Sequence, residues 1–239
     1  MKRLSFLVSL VACLSSLVFL SHNPHAARAK SLSTNSAVSY EALEQEMISE
    51  INLARTRPSE YAAFLEGLRP RFSGKEYRQP GKPGLLTEEG AAPLEEAIKV
   101  LRAARPISPL TVAKGMCSGA RTLVTEQSAS GTMGHKGADG SFCEQRSERF
   151  GAWKAPIGEN LSYSDDSARE RILTMLIDDG VANRGHRQRL LDPTYKVVGV
   201  ACGGHKLGAM CVVTLAGGFT DKLAGQAAPA RTAPAAKRF

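Results

Sequence analysis

Two histidines stand in glycine-flanked stretches, His135 in Gly-His-Lys-Gly and His186 in Arg-Gly-His-Arg. Between them along the chain lie Gly158-Glu159-Asn160 and the pair Asp178-Asp179. Imidazole and carboxylate are the donors that zinc or another divalent cation takes where thiolates are absent, and an open site needs at least three of them to converge. Glycine-rich surface segments let such groups meet from distant parts of a chain. The plainer reading makes His135 a surface residue and Glu159 an ordinary strand-end carboxylate. It also leaves Asp178 and Asp179, which would oppose the dipole at a helix carboxy terminus, to pair with Arg184 or Arg187. His205, in Gly203-Gly204-His205, reads as an exposed turn residue without a role.

Other catalytic signatures are missing: there is no Gly-x-Ser-x-Gly elbow and no His-Glu-x-x-His helix. The cysteines number five, an odd count. Cys13 belongs to an amino-terminal leader, so Cys117, Cys143, Cys202 and Cys211 remain, an even set that admits three pairings. Cys202 and Cys211 flank an expected hairpin turn, where cross-strand partners lie within disulfide reach, which leaves Cys117 to bridge to Cys143. That second bridge would close a loop of about 26 residues and contribute on the order of 3 kcal/mol. No pair has the spacing of a cysteine zinc site.

The elements that must position these groups follow from periodicity. Leu43, Met47, Ile51 and Ala54 mark an amphipathic helix over 40–56, and Pro58 starts a second, short helix at Ser59. Residues 69–86 hold three prolines and three glycines and read as a long loop. Helix resumes at Pro93 with Leu94, Ala97, Ile98 and Leu101 on one face, and Leu110, Ala113, Cys117, Ala120 and Val124 mark another. Residues 128–156 are expected to be irregular. A strand is expected over 157–164, a Ser167-capped helix from Ala168 to about Asp179, and a hairpin from strands at 197–202 and 209–215. Helices before and between a few late strands make an α+β fold.

Composition bounds the rest. The chain has 239 residues, 43% hydrophobic, and a formal charge of +8. Met1-Lys2-Arg3 ahead of the uncharged run from Leu4 to Leu20, followed by Ala27-Arg28-Ala29, reads as a secretory signal over 1–29, cleaved after Ala29. An uncleaved anchor and a lipidated Cys13 within Leu10-Val11-Ala12-Cys13 are the alternatives. Loss of the leader removes three basic residues and no acid, lowering the charge to +5. No basic stripe interleaved with aromatics is visible, so nucleic acid is not an expected partner. The expected organisation is a flexible lead-in at 30–39, a helical extension at 40–107, a domain at 108–223 and an Ala/Pro tail at 224–239. The protein is expected to be secreted or periplasmic and to touch membrane only through an uncleaved leader; its oligomeric state is not legible.

Four tripeptide-scale signals occur in order: Gly134-His135, Gly158-Glu159-Asn160-Leu161, Gly185-His186-Arg187 with Val198-Gly199-Val200, and Ala216-Gly217-Gly218-Phe219. Over about 108–221 this order resembles the CAP superfamily, the cysteine-rich secretory, antigen-five and pathogenesis-related proteins, in its bacterial form. The resemblance implies a three-layer α-β-α sandwich with a central antiparallel sheet and a cleft lined by two histidines and two acids. His135, Glu159 and His186 match the family's positions. Asp178 is the best match for the second acid, with Asp179 as the fallback, although the family usually has Glu there beside a tryptophan that this chain lacks. Members of the superfamily bind divalent metal, sterols or other lipids, and proteolytic activity is ascribed to a few. Two functions follow. One is a secreted binding module whose cleft holds a divalent cation and takes a lipid or a cell-envelope partner. The other is a metal-assisted hydrolase, a peptidase or esterase with Glu159 as base. The absent nucleophile motifs favour the first. A purely structural imidazole-carboxylate network is a third option.

Overall fold

The computed structural model describes residues 39–222; the leader with Cys13, all but the last residue of the lead-in, and the 224–239 tail lie outside the described residues. The chain runs through seven helices and seven strands in this span. These are α1 Tyr40–Thr56, α2 Pro58–Glu66, β1 Phe72–Ser73, β2 Glu76–Tyr77, β3 Leu85–Leu86, α3 Ala92–Ala103, β4 Thr111–Val112, α4 Lys114–Ser130, α5 Cys143–Glu148, β5 Gly151–Ser164, α6 Ala168–Ile177, α7 Gly185–Leu191, β6 Val197–His205 and β7 Gly208–Asp221. No described helix is long and apolar enough to cross a membrane.

The principal sheet has the order β4-β6-β7-β5. The β6–β7 hairpin and the β7–β5 pair are antiparallel, but β4 lies parallel to β6, so the sheet is mixed where an antiparallel one was expected. The reason is connectivity: β4 reaches β6 only after α4, α5, β5, α6 and α7 have intervened, and so long a crossover lets the strands run the same way. Alternation along the hairpin splits the core into two layers. Val198, Val200, Cys202, Cys211, Val213 and Leu215 pack with α1, α2, α3 and α6, while Ala201, Met210 and Val212 pack with Leu123 and Val124 of α4. Helices on both faces make this an α+β sandwich of three layers. On the α4 face, a side chain at Gly199 would collide with the Met116 and Cys117 backbone, so this glycine lets helix and strand approach closely.

Cys202 and Cys211 stand opposite one another in the hairpin register and are disulfide-bonded, with Cα atoms 4.1 Å apart. The expected Cys117–Cys143 bridge does not exist; both thiols are free. Helix phase explains the error. The face of α4 that meets α5 carries Gly119, where an added Cβ would come within 3.2 Å of the Ser147 backbone. Cys117, two positions earlier, points about 200° away from Gly119.

Other boundaries differ from periodicity in instructive places. The 69–86 loop contains a 3₁₀ turn at Arg69–Arg71 and the small antiparallel sheet β1-β2-β3. Helix α4 begins at Lys114, after β4 takes the first expected helical positions. Helices α5 and α7 were not foreseen, being six and seven residues long and too short for a periodic signal.

Four fully buried or nearly buried arginines hold these irregular parts together. Arg55 of α1 donates to the carbonyls of Ser108, Leu190, Asp192 and Tyr195. Arg171 of α6 donates to carbonyls of Ser164, Asp166 and Ala209, and Arg187 of α7 to those of Pro93, Leu176 and Ile177. Arg146 of α5 serves His135 and Ser141. Carbonyls of loops, helix ends and strand ends need donors once buried, and one guanidinium supplies up to five.

Candidate functional site

The four sequence-selected residues assemble as two pairs. Nδ1 of His135 lies 3.0 Å from Oε1 of Glu159, and Nδ1 of His186 lies 2.6 Å from Oδ1 of Asp178. The carboxylates are the buried members, each 2% exposed, while the imidazoles are 46% and 27% exposed. A carboxylate only accepts, so in each pair the ring nitrogen that carries the donated proton is Nδ1.

Each pair is braced. The other oxygen of Glu159 receives Arg146 at 2.6 Å, a pair in which both side chains are almost fully buried. The His135 loop is clamped by a ring of hydrogen bonds: the Gly134 amide donates to the Tyr163 hydroxyl, that hydroxyl donates to Gln127, and the Gln127 amide donates to the Gly134 carbonyl. On the other side, Asp178 is the left-handed residue that ends α6 (φ 59°), and its second oxygen accepts the His186 amide at 2.8 Å and the Arg187 amide at 3.3 Å. Asp178 therefore partners His186. Asp179, the fallback, accepts instead from the amides of Glu88 and Glu89.

Strand β5 joins the two halves. It is an edge strand, and consecutive side chains leave opposite faces. Glu159 points to the α5 side and holds His135. Asn160 points to the α6–α7 side, where it donates to the His186 carbonyl at 3.2 Å. Arg146, Gln127, Tyr163 and the role of Asn160 escaped the sequence reading. Asn160 alone had a signal, its place beside Glu159; Arg146 was hidden among the charges of 144–149.

The arrangement limits the chemistry. Among the described residues, no group of three or more His, Cys, Asp and Glu side chains is placed to hold a metal ion. His135, Glu159, Asp178 and His186 do not fit a four-donor zinc site, because both acids are directed at imidazole Nδ1. Carboxylates in that position act behind a ligand and orient it. Glu159 is also poorly placed as a base, since both its oxygens are engaged and it is shielded from solvent. Cys143 is no nucleophile: burial, aided by the Glu159 charge, pushes its thiol pKa up to about 12.

A groove of about 510 Å³ runs beside His186. Leu68 and, from the β1–β3 segment, Phe72, Tyr77 and Leu85 line it, as do Leu161, Leu173, Met175 and Ile177 of β5 and α6. Asp178 and His186 also line it; His135 and Glu159 do not. The segment is fastened over it by Asp179 on the Glu88 and Glu89 amides, by Arg184 on Glu89 at 2.6 Å, and by Lys82 on Asp166.

Sandwich, paired histidines and ordered motifs agree with sequence comparison: the cysteine-rich secretory protein family, CAP, matches residues 95–215, half the chain, and the protein belongs to that family. Similar solved structures include an extracellular protein containing an SCP domain from Bacillus anthracis str. Ames, at 15% identity over 50% of this chain and 37% of that one, with a TM-score of 0.38. Another is a cysteine-rich secretory protein from Staphylococcus aureus subsp. aureus Mu50, at 14% identity over 64% and 48%, with a TM-score of 0.35. The chain thus spans less than half the length of each of these proteins. No curated protein matches it significantly.

Proposed function

We propose that this CAP protein is exported and acts as a binding module whose apolar groove takes a lipid or another amphipathic ligand. The observation that carries this reading is the groove beside His186: its volume lies within the range of small-molecule sites, and its walls combine aliphatic and aromatic side chains with polar groups such as Asp166, Glu170, Arg171 and His186, as an amphipathic ligand requires. Leu85, at 62% exposure, and its neighbour Leu86, at 78%, leave further apolar surface on the β1–β3 segment. Export rests on the leader at 1–29, on the family, and on the disulfide, which persists in an oxidising compartment. Hydrolysis is disfavoured by the engaged Glu159 and the protonated Cys143. No step is assigned to a metal.

The test is titration of the mature protein with a fluorescent single-chain fatty acid. Saturable binding is expected, weakened about tenfold in Leu85→Lys, which places a charge on a wall residue exposed enough to leave folding intact. The ligand should be recovered unchanged by mass spectrometry, and an acyl ester should not be cleaved. Absence of binding in the wild type, or equal affinity in the variant, would overturn the groove assignment; ester turnover would replace it with the hydrolase.

A further inference from the structure

Helix α7 presents a second side chain on the face that carries His186. Arg189 is three residues further on, one turn away on the same side. Among the described residues it has no carboxylate within ion-pair distance, and its hydrogen bond is to a neutral acceptor, Oδ1 of Asn160 at 3.3 Å. Arg184 and Arg187 on the same turn differ, since both reach Glu96. The guanidinium lies over Gly158. A Cβ built there would stand 3.0 Å from Nε of Arg189 and 3.0 Å from the Tyr195 hydroxyl, so the missing side chain lets both groups pack close against the strand and against each other.

Tyr195 is 6% exposed, and its hydroxyl makes no hydrogen bond to the described residues. The ring is buried but the hydroxyl oxygen is not among the solvent-shielded polar atoms that lack a partner, so it is open to donate to a ligand. Burial raises its pKa, with Arg189 opposing, so it remains an O–H donor at neutral pH. Asp192, whose charge acts on this hydroxyl, is turned to its own loop, accepting from the amide and hydroxyl of Thr194, and Asp178 is committed to His186. Glu159 leaves the opposite face of β5. The notch therefore offers a fixed cation and a hydroxyl donor, with Asn160 holding the guanidinium in place.

We propose that Arg189 and Tyr195, over Gly158, form an oxyanion-binding notch that receives the carboxylate or phosphate group of a ligand beside His186. Guanidinium matches both groups through paired N–H donors, and the hydroxyl supplies a further bond. This assignment does not depend on the groove taking a lipid, because neither residue lines the groove.

The experiment is NMR titration of the mature protein with sodium acetate and, separately, sodium phosphate at constant ionic strength, following the Gly158 and Gly185 amides. Saturable shifts are expected with a dissociation constant below about 10 mM. Response to acetate alone assigns a carboxylate ligand, to phosphate alone a phosphate ligand, and to both a general oxyanion site. Arg189→Gln should weaken binding about tenfold and Tyr195→Phe about threefold, whereas Arg189→Lys, which keeps the charge without the fork, should fall between. Arg57→Gln, a remote loss of equal charge, should leave affinity unchanged. The proposal is overturned if neither anion gives a saturable shift, or if Arg189→Gln, with an otherwise unchanged amide spectrum, binds as the wild type or no worse than Arg57→Gln.

Discussion

Replacing Glu159 by glutamine tests whether this side chain is first a charge partner and only second a support for His135. The carboxylate is 2% exposed and Arg146 is 1% exposed, with 2.6 Å between them. Glutamine preserves the shape but leaves the guanidinium without a counter-charge, still bonded to the His135 and Ser141 carbonyls. Its Nε already lacks a partner, so little slack remains to absorb the loss. Removing one member of a buried ion pair destabilises by roughly 3–5 kcal/mol. For a domain of this size that lowers the melting midpoint by on the order of 10 °C. His135→Ala should behave differently, because the imidazole is 46% exposed and gives up one partly solvated bond, a loss of about 1 kcal/mol or less. The single tryptophan, Trp153, lies on the same strand, so urea unfolding followed by its fluorescence reports on β5 directly. Combining Glu159→Gln with Arg146→Met should cost less than the sum of the two single changes by about 1–3 kcal/mol. A Glu159→Gln protein within about 1 kcal/mol of wild type, or strictly additive behaviour, would refute the ion-pair reasoning.

Three further outcomes are expected. Asp178→Asn keeps a residue tolerant of the left-handed conformation but loses the charge that serves the His186 ring and two amides; unfolding should show a loss of about 1–3 kcal/mol, and an unchanged midpoint would show the pair to be incidental. Alkylation under denaturing, non-reducing conditions should label Cys117 and Cys143 and spare Cys202 and Cys211, and Cys202→Ser should destabilise by about 2.5–3 kcal/mol for a loop this short; labelling of neither Cys117 nor Cys143 would restore the second bridge. Cys143 makes stability pH-dependent. Its folded pKa of about 12 lies above the unfolded value near 9, so the native state binds the extra proton between them, and stability contributed by this thiol is constant below pH 9 and falls as the pH rises towards 12. Denaturation at pH 8 and pH 10 should show a steeper loss in wild type than in Cys143→Ala, and parallel losses would contradict the buried-thiol assignment.

The histidines and Glu159 were legible because each sits in a short, ordered motif, and Ser167 announced α6 through its capping geometry. The hairpin was legible from two β-branched runs around a glycine turn. What supports the site was not. Arg146 lies in the run Glu144-Gln145-Arg146-Ser147-Glu148-Arg149, whose composition describes a solvated surface, yet the side chain is fully buried. Burial there comes from α5, a helix too short to show a period, docking against α4 at Gly119. The same docking surface undid the Cys117–Cys143 pairing: counting cysteines left one remaining pair, whereas the glycine at 119 marks which side of α4 faces α5. The parallel β4 was illegible for a different reason, since two residues carry no alternation and only tertiary connectivity sets their direction.

Strand β5 is where the fold turns into a site. Its inner edge is fixed to β7 over most of its length, and its outer edge has no strand partner among the described residues. From that free edge, adjacent side chains take hold of two separate parts of the chain: Glu159 the loop carrying His135, and Asn160 the carbonyl of His186 and the guanidinium of Arg189. A displacement of β5 along its edge would therefore move both imidazoles together, while a change in α7 alone would reach His135 only through the strand. The bracing differs in kind. Glu159 is tied by a buried ion pair at 2.6 Å, whereas Asn160 makes one neutral hydrogen bond of 3.2 Å and accepts one from a guanidinium at 3.3 Å. The His186 half borders the groove and carries Arg189, and there Asp178 anchors the imidazole and two amides as Glu159 anchors His135, so each half has its own buried carboxylate and the strand couples the two.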